Sequence, residues 1–176
     1  MTVPEYQQTP EVVYPQELVF GHVVARDAPA VSHQRVVLTM AVALLGYCRE
    51  HGGEVLIAPT DVVLDEELAL VLQPDLLYVG PAGPARITDR VQGPPNLVIE
   101  IMSPAPRIGR VDEKVRWYAQ YGVEEIWLCH HLVGTLDVLR CGKGTVLQTT
   151  RFGLTAPIQS RVLPNFRATT AEVCGI

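Results

Sequence analysis

The stretch Asn96-Leu97-Val98-Ile99-Glu100-Ile101-Met102-Ser103-Pro104 constrains this chain more than any other. It reads as a short buried strand, and side chains alternate across a strand. Leu97, Ile99 and Ile101 then line one face, and Asn96, Val98, Glu100 and Met102 the other. A run apolar on both faces belongs inside a covered sheet. Glu100 therefore shares an apolar face, where an ionised carboxylate is costly unless it is paired, hydrogen-bonded or bound to a metal. The residues alone leave two readings open: a functional carboxylate, or a strand-end Glu held by a nearby Arg.

The same oddity recurs upstream in Gln73-Pro74-Asp75-Leu76-Leu77-Tyr78-Val79. Asp75 alternates with Leu77 and Val79, so it too falls on an apolar face, and Pro74 brings no amide to a ladder. Two such carboxylates on adjacent elements repel each other, and at least one then has a raised pKa. A divalent cation between them resolves the repulsion, and oxygen-only ligation suits magnesium or manganese. The structural alternative for Asp75 is a turn cap beside Pro74. Lys114 adds a third element. On a helix it shares a face with Val111, Trp117, Tyr118 and Tyr121, so its ammonium either snorkels out or reaches a carboxylate such as Glu100.

With 176 residues, 48% hydrophobic and 19% charged, the chain is long enough for a real core and is not disordered in composition. Residues 1–15 read as a polar, Pro-containing lead-in, and residues 16–176 as a single domain. No signal-peptide core and no membrane-spanning run stands out, which predicts a cytoplasmic protein with no membrane partner. Cys48, Cys129, Cys141 and Cys174 have no C-x-x-C pairing, so buried free thiols are expected. Cys129-His130-His131 resembles metal-ligand chemistry, but neighbours on a strand point to opposite faces. The net charge of −5 argues mildly against a nucleic-acid coat. Arg86, Arg90, Arg107, Arg110, Lys114 and Arg116 nevertheless cluster around the central strand, as solvated charge or as a basic rim on a phosphate cleft.

A coarse pass predicts a hairpin over 17–25 turning at Gly21-His22, and a helix from an N-cap at Ser32 to about Glu50. Strands follow over 54–58, 61–64 and 68–79, then the central strand, a helix over 111–121 and a strand over 125–129. A hairpin over 135–150, a strand near 158–162 and a capped helix after Thr169 complete one α/β domain with a mixed central sheet flanked by helices.

Several elements taken in order carry a resemblance. They are Glu17-Leu18-Val19-Phe20-Gly21, Ser32-His33-Gln34-Arg35, Ala58-Pro59-Thr60-Asp61-Val62, Gln73-Pro74-Asp75-Leu76, the 96–104 stretch, and Lys114-x-x-x-Tyr118-x-x-x-Gly122-Val123-x-Glu125-x-Trp127. Together they resemble the Uma-type "putative restriction endonuclease" family of the PD-(D/E)XK nuclease superfamily, over nearly the whole chain. The resemblance implies a restriction-endonuclease-like α/β core and magnesium-dependent phosphodiester hydrolysis of nucleic acid, with DNA as the expected partner. Asp75 and Glu100 are the implied metal ligands. Lys114 stands for the lysine that usually follows two residues after the strand Glu, a place held here by Met102. Glu17 matches an early acidic residue that completes the site, and His33 matches a His at the helix start that reads as structural or capping. Two departures stand out: Arg110 replaces an acidic residue one helical turn before the Lys, and Cys129-His130 replaces a Val-Asp strand end.

Cutting both strands of a duplex favours two active sites, hence a homodimer. The rival reading is a catalytically silent nuclease-fold module that binds nucleic acid or a protein, and a third is a hydrolase of small phosphoesters. No G-x-S-x-G, Walker loop or dinucleotide fingerprint competes.

Overall fold

The computed structural model describes residues 1–10, 14–26, 28–102 and 111–176. In chain order the elements are α1 (Val3–Gln7), β1 (Gln16–Val19), β2 (His22–Ala25), α2 (Val31–His51), β3 (Glu54–Ile57), β4 (Val62–Asp65), β5 (Leu70–Leu72), β6 (Leu76–Val79), β7 (Arg86–Ile87), β8 (Val91–Gln92), β9 (Leu97–Ile101), α3 (Val111–Gln120), β10 (Glu125–His130), β11 (Thr135–Gly142), β12 (Thr145–Phe152) and α4 (Thr170–Cys174). Ser103, Pro104, Arg107 and Arg110, which the sequence reading places in a connection and in the basic rim, lie outside the described residues.

The strands form a mixed central sheet, ordered β12-β11-β10-β9-β6-β3, and a second sheet, ordered β2-β1-β5-β4-β8-β7. β9 runs parallel to β10 and antiparallel to β6, so it is an inner strand. Its alternation sorts the core. Leu97, Ile99 and Ile101 pack with Val36, Met40 and Leu44 of α2. Val98 packs the other way, with Leu77, Ile126, Tyr118 of α3, and Val62, Leu70 and Leu72 of the second sheet. Glu100 shares that second parity, as the sequence predicts, and is buried at the junction of α3 and both sheets.

The second sheet is not separable by sequence periodicity, but the prolines mark it. The chain passes from the central sheet to the second between β3 and β4, across Pro59, and back between β5 and β6, across Pro74. A residue without an amide cannot continue a ladder, so a strand that meets one can end and leave its sheet. Other details differ from expectation. The first hairpin turns at Phe20-Gly21, both with positive φ (47° and 81°), the geometry that continues strand twist in a two-residue turn. α2 starts one residue before Ser32, with Ala30 as N-cap and no side-chain cap. Residues 158–162 form no strand, and the local pairing is a single bridge between Pro157 and Thr169. Within the lead-in, α1 has a capping box from Thr2 and Glu5, and buries Val3 and Tyr6 against Leu18, Val63 and Val71. α2 is long and apolar enough by composition to cross a membrane, a length the sequence pass did not pick out; its inner face packs on the central sheet.

Glu125 shows what a purely structural buried carboxylate looks like here. One oxygen accepts from Trp127 Nε1 (2.7 Å) and Ser160 Oγ (2.5 Å), and the other from the Arg161 amide (3.0 Å). It ties the segment after β12 to the central sheet, with its charge carried by donors rather than by a cation. Glu125→Ala strands those donors, so it should destabilise the fold by roughly 3 kcal/mol. Urea unfolding followed by tryptophan fluorescence checks this, and a loss below about 0.5 kcal/mol, the scale of an ordinary surface substitution, would contradict it.

Candidate functional site

Four sequence-predicted residues, Glu17, Asp75, Glu100 and Lys114, are buried around one junction of the two sheets and α3. Glu100 arrives on β9 by strand parity. Asp75 lies one step before β6, whose register with β9 runs Leu77 to Val98 and Leu76 to Ile99, so the next opposed pair is Asp75 and Glu100. Glu17 arrives on β1, and its Oε1 accepts the Gln73 amide at 2.8 Å, just where Pro74 ends the β5 ladder. Lys114 and Tyr118 project from α3 at the i, i+4 spacing that shares a helix face.

The contacts are specific to single oxygens. Lys114 Nζ lies 2.5 Å from Glu100 Oε1 and 3.0 Å from Glu17 Oε1. Tyr118 donates its hydroxyl to the same Glu100 Oε1 at 2.9 Å. Asp75 Oδ2 accepts the Ile101 amide at 2.7 Å and faces His33 Nε2 at 3.1 Å. Arg26, just beyond β2, donates through Nη1 to the Gln73 carbonyl at 2.8 Å. It sits 3.5 Å from Glu17 Oε1 and, through Nη2, 3.7 Å from Glu100 Oε2. Among the described residues two oxygens remain less committed: Glu100 Oε2, whose contact there is the long one to Arg26, and Asp75 Oδ1, which accepts no hydrogen bond.

The electrostatics follow from three carboxylates sharing two cations, Lys114 and Arg26. Burial pushes the Glu100 carboxyl up; Lys114 and Arg26 oppose this, and Asp75 and Glu17 add to it, leaving a raised pKa. Asp75 goes the other way. Burial works against its charge, but His33 and the Ile101 amide outweigh it and hold the carboxyl below its usual range. The expected repulsion therefore falls on Glu100 alone. Burial works against the Lys114 ammonium too, and Glu100 and Glu17 outweigh it and keep it charged. The Tyr118 hydroxyl is pushed far up by burial and by Glu100, so it remains a donor.

Among the described residues, no three His, Cys, Asp or Glu side chains converge as metal ligands. What the described residues bring together is a buried pair of carboxylates, Asp75 and Glu100. That suits magnesium, which keeps several waters and takes one or two protein carboxylates. Glu17 is committed to Lys114, Gln73 and Arg26.

Sequence reasoning missed three partners. Arg26 carries no signal in its hairpin. His33, read as structural or capping, instead faces Asp75. Tyr118 stands in the sequence on an apolar stripe and in the Lys114-x-x-x-Tyr118 element, without a role of its own. The basic rim is reduced: Lys114 is turned inward, Arg90 Nε is 3.2 Å from Asp61, and Arg116 is 3.9 Å from Glu113.

Lys114→Met leaves Glu100 and Glu17 without their shared cation, and should cost about 3 kcal/mol of stability at pH 7. The variant raises the folded-state pKa of Glu100 further. A raised carboxyl contributes stability that is fully present below its unfolded pKa, about 4.3, and lost as pH rises through the folded value. The deficit against the parent protein should therefore grow from pH 4.5 to pH 7. Melting temperatures across that range check it; a deficit independent of pH would contradict the pairing.

The geometry can be set beside known proteins. The family model described as "Uma2: Putative restriction endonuclease" matches residues 3–171. A solved structure titled as a putative nuclease belonging to DUF820, from Anabaena variabilis ATCC 29413, superposes with a TM-score of 0.78. Its sequence is 16% identical, and the superposition covers 99% of this chain and 98% of that one. No curated protein matches the chain. The fold is the restriction-endonuclease-like α/β fold, and the chain belongs to the Uma2 putative restriction endonuclease family.

Proposed function

We propose that this protein is a magnesium-dependent endonuclease that hydrolyses phosphodiester bonds of nucleic acid, with DNA as its substrate. Family membership and fold support a nuclease-like function at the coarse level. The observation that carries the finer reading is the pair of less committed oxygens, Glu100 Oε2 and Asp75 Oδ1, at opposed strand positions beside a buried lysine. Asp75 and Glu100 would hold the cation, with manganese able to substitute. When bound, the cation supplies Lewis-acid polarisation of the scissile phosphate.

The chain's own residues do the rest. His33 and the Ile101 amide fix the Asp75 carboxylate by one oxygen, which aims the other. Tyr118 and Lys114 do the same for Glu100. Glu17 holds Lys114 from the opposite side, so the ammonium has little freedom to swing away. From that place Lys114 orients the attacking water and meets negative charge building on the phosphate. Two copies would address the two strands of a duplex. Val31, Leu38, Val42 and Leu45, exposed along α2, offer apolar surface for such a pairing.

Supercoiled plasmid incubated with magnesium, manganese or EDTA tests this reading. Nicking is expected with either metal and absent with EDTA. Asp75→Asn and Glu100→Gln should remove it, with manganese partly rescuing Asp75→Asn. Lys114→Met should slow it by about a hundredfold or more while cation affinity holds or rises. A folded protein that binds plasmid without cutting under every metal condition would favour the silent binding module instead. Sedimentation under cleavage conditions should give a dimer, and a monomer that still cuts both strands would remove the paired-site element.

A further inference from the structure

Arg26 is the charged residue of the site that the catalytic reading leaves without a task. It sits at the end of β2, the edge strand of the second sheet, and its amide donates to the Pro15 carbonyl at 2.8 Å. Its backbone is therefore anchored. Its side chain is not. It makes one good hydrogen bond, to the Gln73 carbonyl, while its contacts to Glu17 and Glu100 are 3.5 and 3.7 Å long. The last of these is beyond hydrogen-bond range. The side chain is 27% exposed, against 6% for Lys114.

The two cations of the site thus differ in kind. Lys114 is clamped on Glu100 Oε1, the oxygen that Tyr118 also serves. Arg26 covers Glu100 Oε2, the oxygen that a cation would need, at 3.7 Å and with a partly exposed side chain. We propose that Arg26 is a displaceable internal counter-ion: it balances Glu100 while no divalent cation is bound, and it must withdraw from Glu100 Oε2 for one to bind. This rests on the cation reading above and adds a competitor to it. The physical reason is charge. Glu17 and Glu100 already face Arg26 and Lys114, and the Asp75 charge also acts on Arg26. A divalent ion placed beside a guanidinium that stays put meets a like charge in partly desolvated surroundings. Withdrawal is feasible because, among the described residues, the guanidinium is held through Nη1 alone, at 2.8 Å from the Gln73 carbonyl and 3.5 Å from Glu17 Oε1, and the side chain is already partly exposed. Swung outward, it stays at the rim of the site and becomes available to a phosphate oxygen, a group that guanidinium forks bind well.

The test measures manganese affinity by isothermal titration, without nucleic acid, for the parent protein, Arg26→Gln, Arg26→Lys and Glu100→Gln. Arg26→Gln should bind manganese about tenfold tighter or more, because a competing positive charge has gone. Arg26→Lys should remain close to the parent, and Glu100→Gln should lose binding. A residue that only braced the hairpin would give the opposite sign, since its loss would loosen the seat and weaken binding. Manganese binding that is unchanged or weaker in Arg26→Gln, with the parent binding normally, overturns the counter-ion and leaves the cation site standing. No binding in the parent or in Arg26→Gln overturns both. A second readout needs no variant: the guanidinium resonances of Arg26 in the parent protein, followed by NMR as magnesium is added. Faster exchange with water on magnesium binding is expected, and unchanged resonances while the cation binds elsewhere in the spectrum would overturn the proposal.

Discussion

The contact between Lys114 and Glu100 organises this molecule. It joins the middle of the central sheet to α3 at the depth where the second sheet closes over both. A buried ion pair of this kind adds little net stability compared with apolar packing, because removing two charges from water costs about as much as their attraction returns. Losing one partner is a different matter, since it strands the other. The arrangement is therefore poorly explained as a device for stability and better explained as a way to hold a carboxylate in a fixed place. Glu125 makes the contrast. It is as deeply buried as Glu100, yet it is surrounded by Trp127, Ser160 and the Arg161 amide, and its two oxygens are both spoken for. Burial alone does not mark a site; incomplete satisfaction beside fixed charges does.

Part of this was legible in the sequence, and the reason is periodicity. Strand alternation put Glu100 with Val98 and opposite Ile99, and the helical spacing of Lys114 and Tyr118 put both on one face of α3; the packing agrees. Pro74, which brings no amide to a ladder, and Pro59, between the expected strands over 54–58 and 61–64, mark where the chain changes sheet, although the strand expected over 68–79 runs across Pro74. What was not legible depends on contacts between elements distant in sequence. Arg26 meets Glu100 across the two sheets. His33 reaches Asp75 from the start of α2, although the helix otherwise packs with the opposite parity of β9. Cys129 and Cys174, with nothing to pair them by spacing, lie with sulfurs 3.1 Å apart. Local pattern carries no information about such meetings until the strand order is known. The turn at Phe20-Gly21 was displaced by one residue because a non-glycine residue with positive φ has no sequence signature of its own.

The repulsion expected between Asp75 and Glu100 is shared unevenly between them. Asp75 is held ionised by His33 and a backbone amide, while Glu100 carries the strain of burial despite two cationic neighbours. The split follows from the neighbours: a His and a backbone amide serve Asp75, while Glu100 lies deeper and between two other carboxylates.

In the proposed reading, Asp75, just before β6, and Glu100, on β9, form one cation seat. Its most direct measurement is the anomalous difference density of crystals soaked in manganese. The account predicts a single strong peak in contact with both Asp75 and Glu100, bound to Glu100 through the oxygen that faces away from Lys114. Absence of density there, or a peak held by other side chains while Asp75 and Glu100 keep their present partners, would contradict it.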